Sequence, residues 1–145
     1  MRIAVLNGPN LNLLGNREPD IYGTQTLEQI EELVRASQPS ESVDIDWFQS
    51  NHEGELVEII QSLAGKVDGL LVNAAGLTHT SVAIRDGLLA VDIPFVEIHL
   101  TNIFAREEFR RTSLLSDIAV GLVCGFGAQS YVSGMAALLH HLKST

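Results

Sequence analysis

Glu97 and His99 stand two apart at the end of an apolar run, Phe95–Ile98. Residues two apart on a strand face the same way, so a carboxylate would lie beside an imidazole. Such a carboxylate fixes the imidazole tautomer and keeps the ring protonated, which equips it as a general acid. The plainer reading is an ion pair at a strand end. Tyr22 lies in the segment 15–23, which has no helical or strand period and also carries Arg17. An irregular stretch this long between a strand and a helix is unusual unless it works, and its flanking glycines could hinge a lid. Arg106 and Arg110 are four apart and are predicted to share one face of a short helix. There they either pair with Glu107 and Glu108 or lend positive charge to a site or subunit interface. A metal would draw on Glu97, His99, His79 and His52, but no compact ligand motif such as HExxH occurs.

These residues need elements to hold them. Five short apolar runs read as strands: Ile3–Leu6, Val43–Phe48, Gly69–Val72, Phe95–Ile98 and Ala119–Cys124. Four are continuous or nearly so in Val, Ile and Leu, as in parallel strands buried on both faces. Val43–Phe48 alternates with Asp44 and Asp46 and reads as an edge strand. Helical spacing links them. Thr26–Gln38 carries Leu27, Ile30, Leu33 and Val34, opened by a capping box of Thr26 and Gln29. Glu53–Ala64 carries Leu56, Ile59, Ile60 and Leu63. Ser81–Val91 carries Val82, Ile84, Leu88 and Leu89, and Ala128–Leu142 carries Val132, Met135, Ala136, Leu139 and Leu142. The alternation predicts an α/β three-layer sandwich with a five-stranded parallel sheet in the flavodoxin-like order 2-1-3-4-5. No linker or repeat interrupts it, so residues 1–145 are predicted to form one domain.

In such sheets ligands bind beyond the carboxyl ends of the strands. The polar clusters fall there: Asn7-Gly8-Pro9-Asn10-Leu11-Asn12, Gln49-Ser50-Asn51-His52-Glu53, Asn73 to Ser81, and Glu97 to Asn102. The opposite loops, such as Pro39-Ser40-Glu41-Ser42, look like ordinary connections. Taken singly, Asn7-Gly8-Pro9-Asn10 is also turn chemistry. Ser50-Asn51-His52-Glu53 reads first as a helix N-cap. Gly125-Phe126-Gly127 reads as close backbone packing before it reads as a phosphate cradle. His140 and His141, in the last helix, read as surface or interface residues.

Composition narrows the field. The chain has 145 residues, 46% hydrophobic and 19% charged, enough apolar material for a core and too little charge for a disordered chain. The formal net charge of −9 argues against a nucleic-acid binder and against an electrostatic membrane binder. An anionic small molecule remains possible, given a basic pocket. A mean hydropathy of +0.18 suggests apolar surface buried between subunits. One cysteine, Cys124, allows no intrachain disulfide. With no leader-like N-terminus and no apolar run long enough for a membrane span, a cytoplasmic protein is expected. A flavin- or phosphate-binding module of the same fold is the alternative. It would want a Ser/Thr/Gly-rich loop after the first strand, where Asn7–Gly15 has three Asn and three Leu.

Together the motifs resemble the type II 3-dehydroquinate dehydratases over essentially the whole chain. The resemblance rests on Asn7-Gly8-Pro9-Asn10-Leu11-Asn12-Leu13-Leu14-Gly15, Arg17-Glu18-Pro19 with Ile21-Tyr22-Gly23, Thr78-His79-Thr80-Ser81, Glu97-Ile98-His99-Leu100-Thr101-Asn102 and Arg106-Glu107-Glu108-Phe109-Arg110. It implies loss of water from 3-dehydroquinate to give 3-dehydroshikimate, in the shikimate pathway or in quinate breakdown, without metal or organic cofactor. It also implies a dodecamer of four trimers. Tyr22 would be the base, as tyrosinate, with Arg17 beside it. Asn10 would hold a water at the enolate oxygen. His99 would protonate the leaving hydroxyl, with Glu97 orienting and charging it. Asn73 and the Leu100 and Thr101 amides, with the Thr101 hydroxyl, would bind the substrate carboxylate. His79 and Arg110 would bind ring hydroxyls, Asp86 would reach a neighbouring subunit's site, and Arg106 matches a lid-associated arginine. The chain departs from the family pattern at Ala74-Ala75-Gly76-Leu77, where an aromatic residue commonly precedes the Thr-His-Thr segment. That departure is expected to alter the pocket wall.

Overall fold

The computed structural model describes residues 1–38 and 43–145, so the connection 39–42 lies outside the described residues. Five strands form one parallel sheet: β1 (Arg2–Asn7), β2 (Asp44–Gln49), β3 (Gly69–Asn73), β4 (Phe95–His99) and β5 (Gly121–Cys124). Their order is β2-β1-β3-β4-β5. The expected topology is therefore the observed one, with β2 at an edge. Five helices accompany them: α1 (Pro19–Tyr22), α2 (Leu27–Ala36), α3 (Glu53–Ser62), α4 (Val82–Val91) and α5 (Gln129–Ser144).

Strand alternation divides the core in two. Ile3, Val5, Leu71, Val96 and Ile98 pack with Ile30 and Val34 of α2 and Met135 and Leu138 of α5. Ala4, Leu6, Leu70, Val72 and Phe95 pack with Leu56 and Ile60 of α3 and Ile84 and Leu88 of α4. Each Ile, Leu or Val fully removed from water contributes roughly 1.5–3 kcal/mol. The three central strands therefore form a rigid frame, wet only at their ends. Gly134 lets α5 lie close to β4, because a Cβ there would meet the buried Ile98 side chain.

Register decides what the frame presents. Asn7 pairs with Gln49 on one side and Asn73 on the other. Val72 pairs with Glu97, and His99 pairs with Cys124. The polar strand ends thus share one edge of the sheet. Alternation then sends Asn7 and Asn73 toward α5, and Glu97 and His99 toward the opposite layer.

Several helical faces are narrower than the spacing implied. Leu33, Val82 and Leu89 are exposed, the last two by 58% and 51%, and Ala136 is exposed as well. A flat sheet covers only one stripe of each helix, so apolar residues beside that stripe stay outside. Two local expectations also need correction. Residues 15–23 are not wholly irregular: Pro19 starts the single turn α1, favoured by its preset φ. Arg106 and Arg110 do not share a helix face. Arg106 is extended, and the 3₁₀ turn that carries Arg110 spans only Glu108–Arg111. The capping box at α2 forms as expected, with Thr26 and Gln29 satisfying each other's backbone amides. No helix among the described residues is long and apolar enough to cross a membrane.

Candidate active site

A cavity of about 180 Å³ opens at the carboxyl edge of the sheet. That volume suits a single-ring ligand and falls below the roughly 300–1,000 Å³ typical of drug-sized sites. Asn10, Arg17 and Tyr22 line it from the β1 side, and Asn73 and His79 from the β3 side. His99, Leu100, Thr101, Arg106 and Arg110 line it from the β4 side. The expected site residues therefore converge, with two exceptions. Glu97 lies behind His99, and Asp86 is exposed on α4, away from the cavity of its own chain.

Tyr22 sits against two cations. The Arg17 guanidinium lies 4.5 Å from its ring centroid and that of Arg106 5.1 Å. Arg17 Nη2 also donates to the phenolic oxygen at 3.3 Å. Both guanidinium groups bring positive charge to the phenol. The loop owes its shape to αL residues. Asn10 has φ of 71° and Glu18 of 36°. Asn10 is pinned by its amide, which donates to Asn51 Oδ1 at 2.9 Å. Gly8 permits the close approach beneath it. Its amide donates to the Asn73 carbonyl at 2.8 Å, and a Cβ there would lie 2.6 Å from the Ala74 carbonyl carbon.

His99 Nε2 donates to Glu97 Oε1 at 2.6 Å, which leaves Nδ1 free for the cavity. Glu97 has no solvent exposure. Ser113 Oγ donates to its Oε1 at 2.9 Å, and Ser116 Oγ makes a short bond to Oε2. Burial pushes the Glu97 carboxyl up, but the bonds from His99 and Ser116, the His99 charge and the Ser113 bond outweigh it and hold the group below its ordinary value. A buried carboxylate with three donors stays an anion. His79 stacks near His99, ring centroids 6.3 Å apart, and its Nδ1 donates to the Thr112 carbonyl at 2.8 Å. Burial lowers the His79 pKa, aided by the charges of His99 and Arg110 and opposed by the Thr112 bond. His79 therefore offers a neutral Nε2 to the cavity.

On the third wall, Arg106 Nη1 reaches Thr101 Oγ1 at 3.5 Å, and Arg110 Nε donates to Glu107 Oε2 at 2.5 Å. The departure meets the wall only in part: Ala75 and Gly76 line the cavity, whereas Leu77 is half-buried against the core cluster that holds Leu56 and Ile84. Gly125 packs against Asn102, as the packing reading expected. At α3 the expected side-chain cap does not form: His52 holds the N-cap position without a capping bond, and Ser50 ties the turn before it. Ser50 accepts from the His52 amide at 3.0 Å and donates to Glu55 at 2.8 Å. His52 itself is exposed, and among the described residues no three His, Cys, Asp or Glu are grouped to hold a metal ion.

Ser113, Ser116 and Thr112 went unnoticed in the sequence. They sit in a loop without period, and only the tertiary path brings them behind Glu97 and His79. Asn51, read as part of a cap, holds Asn10.

The chain is similar to known proteins over nearly its whole length. The dehydroquinase class II family matches residues 1–139. A 3-dehydroquinate dehydratase of Prochlorococcus marinus (strain NATL1A) is 53% identical over 143 residues, covering 99% of each chain. One from Acaryochloris marina is 56% identical over 142 residues, covering 98% of this chain and 95% of that one. The crystal structure of the type II dehydroquinase from Butyrivibrio crossotus superposes with a TM-score of 0.92 at 38% identity, over 96% of this chain and 97% of that one. With its motifs assembled around one cavity and its full length shared with these relatives, the chain belongs to the dehydroquinase class II family.

Proposed function

We propose that this chain carries out the reaction for which its relatives are named, removal of water from 3-dehydroquinate to give 3-dehydroshikimate in the shikimate pathway, and that it does so through an enolate. The observation that carries the mechanism is the pairing of opposite tools in one cavity. Tyr22 lies under two guanidinium groups, and His99 is backed by a buried, ionised Glu97.

Tyr22, as tyrosinate, takes the proton next to the ketone, and the electron pair moves onto the ketone oxygen. Asn10 orients a water that hydrogen-bonds this oxygen. The enolate then collapses. The oxygen re-forms the ketone carbonyl, the enolate's double-bond pair moves to the adjacent carbon–carbon bond as the carbon–oxygen bond to the hydroxyl breaks, and His99 gives that hydroxyl a proton so that water leaves. Tyr22 ends protonated and His99 neutral, so one proton returns through solvent before the next turnover. Asn73, the Leu100 and Thr101 amides and the Thr101 hydroxyl hold the carboxylate. His79 and Arg110 hold ring hydroxyls, and Arg106 closes with the Tyr22 loop. No metal or organic cofactor enters these steps.

The working form is a cytoplasmic homododecamer of four trimers, each chain a single catalytic domain. Val82, Asp86 and Leu89, spaced four and three along α4, make one exposed stripe. Burying its apolar members against a second copy would carry Asp86 toward that copy's cavity.

The test is to follow the ultraviolet absorbance of the conjugated enone with 3-dehydroquinate as substrate, comparing wild type with Tyr22→Phe. Loss of a positioned base lowers kcat about 10²- to 10⁴-fold with the fold intact. Near-normal turnover by Tyr22→Phe would refute the assignment of the base.

A further inference from the structure

Behind the cavity, Asn73 ends a buried polar chain whose other members, Tyr131 and Asn7, the mechanism leaves unused. Tyr131, on the first turn of α5, has no solvent exposure. Its hydroxyl donates to Asn7 Oδ1 at 2.7 Å and accepts from Asn73 Nδ2 at 2.8 Å. Asn7 Nδ2 donates to the Phe48 carbonyl at 2.9 Å, and Asn73 Oδ1 accepts from the Ala75 amide at 3.1 Å.

Both ends of this chain are backbone groups, so its polarity is fixed. A carbonyl can only accept, which turns the Asn7 amide nitrogen toward Phe48 and its oxygen toward Tyr131. The hydroxyl must then donate to Asn7, and its oxygen is left to accept from Asn73. An amide N–H can only donate, which turns the Asn73 oxygen toward Ala75. What remains to Asn73, which lines the cavity, is its second Nδ2–H. The ring that relays this order is held by packing. Trp47 stacks on it with centroids 5.8 Å apart. Burial raises the phenol pKa, against a smaller lowering by the Asn73 bond, so the hydroxyl keeps the proton that it donates.

A phenylalanine would fill the same space. A hydroxyl in a dry core is retained at a desolvation cost, and here each of its hydrogen-bonding roles is used. We propose that Tyr131 is a positioning residue for substrate binding: its hydroxyl fixes the Asn73 carboxamide so that an N–H, and not the oxygen, faces the substrate carboxylate. This rests on the reading of Asn73 as a carboxylate-binding residue.

The experiment is a double-mutant cycle on Tyr131→Phe, Asn73→Ala and the double variant, reading KM and kcat for 3-dehydroquinate alongside thermal melts. Losing one oriented hydrogen bond raises KM about tenfold in each single variant. In Tyr131→Phe, kcat stays within about threefold, because no group of the reacting centre is lost. The double variant is no worse than Asn73→Ala, since residues acting through one contact are not additive. Asn7→Ala supplies a second route. With its acceptor gone, the hydroxyl turns to donate to Asn73, and KM rises again without loss of Tyr131. An unchanged KM in Tyr131→Phe or Asn7→Ala, with KM raised by Asn73→Ala, overturns the inference alone. Effects that multiply in the double variant also overturn it. An unchanged KM in Asn73→Ala overturns the carboxylate-binding reading and the inference together.

Discussion

Glu97→Gln isolates charge from shape. Glu97 Oε1 accepts from His99 and Ser113, and Oε2 accepts only from Ser116. A glutamine can keep its oxygen on the first pair and turn its NH₂ to Ser116, whose hydroxyl rotates to accept. Every bond is then made, and only the negative charge is gone. Hydrogen bonds to a charged group are worth about 1.5–3 kcal/mol and neutral ones about 0.5–1.5 kcal/mol, so the change removes about 1–2 kcal/mol. At 1.36 kcal/mol per tenfold, kcat is expected to fall about 5- to 30-fold. KM is expected to stay near wild type, because Glu97 does not line the cavity. Glu97→Ala would instead strand three donors in a dry site and destabilise by about 3–5 kcal/mol. The assay is initial-rate enone formation across pH, with a thermal melt for each variant. A Glu97→Gln protein that melts normally and turns over within twofold of wild type would refute the view that the buried charge supports His99.

Three further outcomes are expected. Gly8→Ala would push a Cβ to 2.6 Å from the Ala74 carbonyl carbon. The Asn10 loop or the end of β3 must then shift, and kcat/KM falls about 5- to 150-fold, since overpacking costs about 1–3 kcal/mol. Thr26→Ala breaks the capping box of α2 and lowers stability by about 1 kcal/mol without changing KM, read as a urea midpoint. The third concerns acid. The folded Glu97 carboxyl titrates below its ordinary value, so the unfolded chain takes up this proton first. Its contribution to stability is present at neutral pH and is lost as pH falls from about 4.3 through the lower folded value. Urea midpoints measured against pH should drop over that window, and Glu97→Gln should flatten the drop.

Much of this site is local in origin. Asn10, Arg17 and Tyr22 lie within one loop, and Glu97 and His99 within one strand, so spacing alone shows which residues can meet. Strand-ending polar clusters are visible because five apolar runs stop at them, and parallel topology places all those stops on one edge. Hydropathy also marked β2 as an edge strand, since it is the run that alternates, while the full order followed from the succession of five strands and their helices. It misplaced Leu33, Val82, Leu89 and Ala136, because helical spacing gives direction around an axis but not how wide a stripe the sheet will cover. It gave Arg106 and Arg110 a common helix face, whereas the chain stays extended at Arg106 and turns only at Glu108.

The tertiary structure alone decided what stands behind the candidate site residues. Ser113 and Ser116 reach Glu97 across 16 and 19 residues, and Tyr131 joins Asn7 across 124. Side chains of this kind carry no period or motif, since their partners are set by how layers pack and not by neighbours along the chain. The sequence thus determined the candidate site side chains and the edge that collects them. The packed fold determined the charge of Glu97, the hydrogen-bond partners of His79 and His99 and the direction in which the amides point, because those depend on burial and on donors that arrive from distant elements.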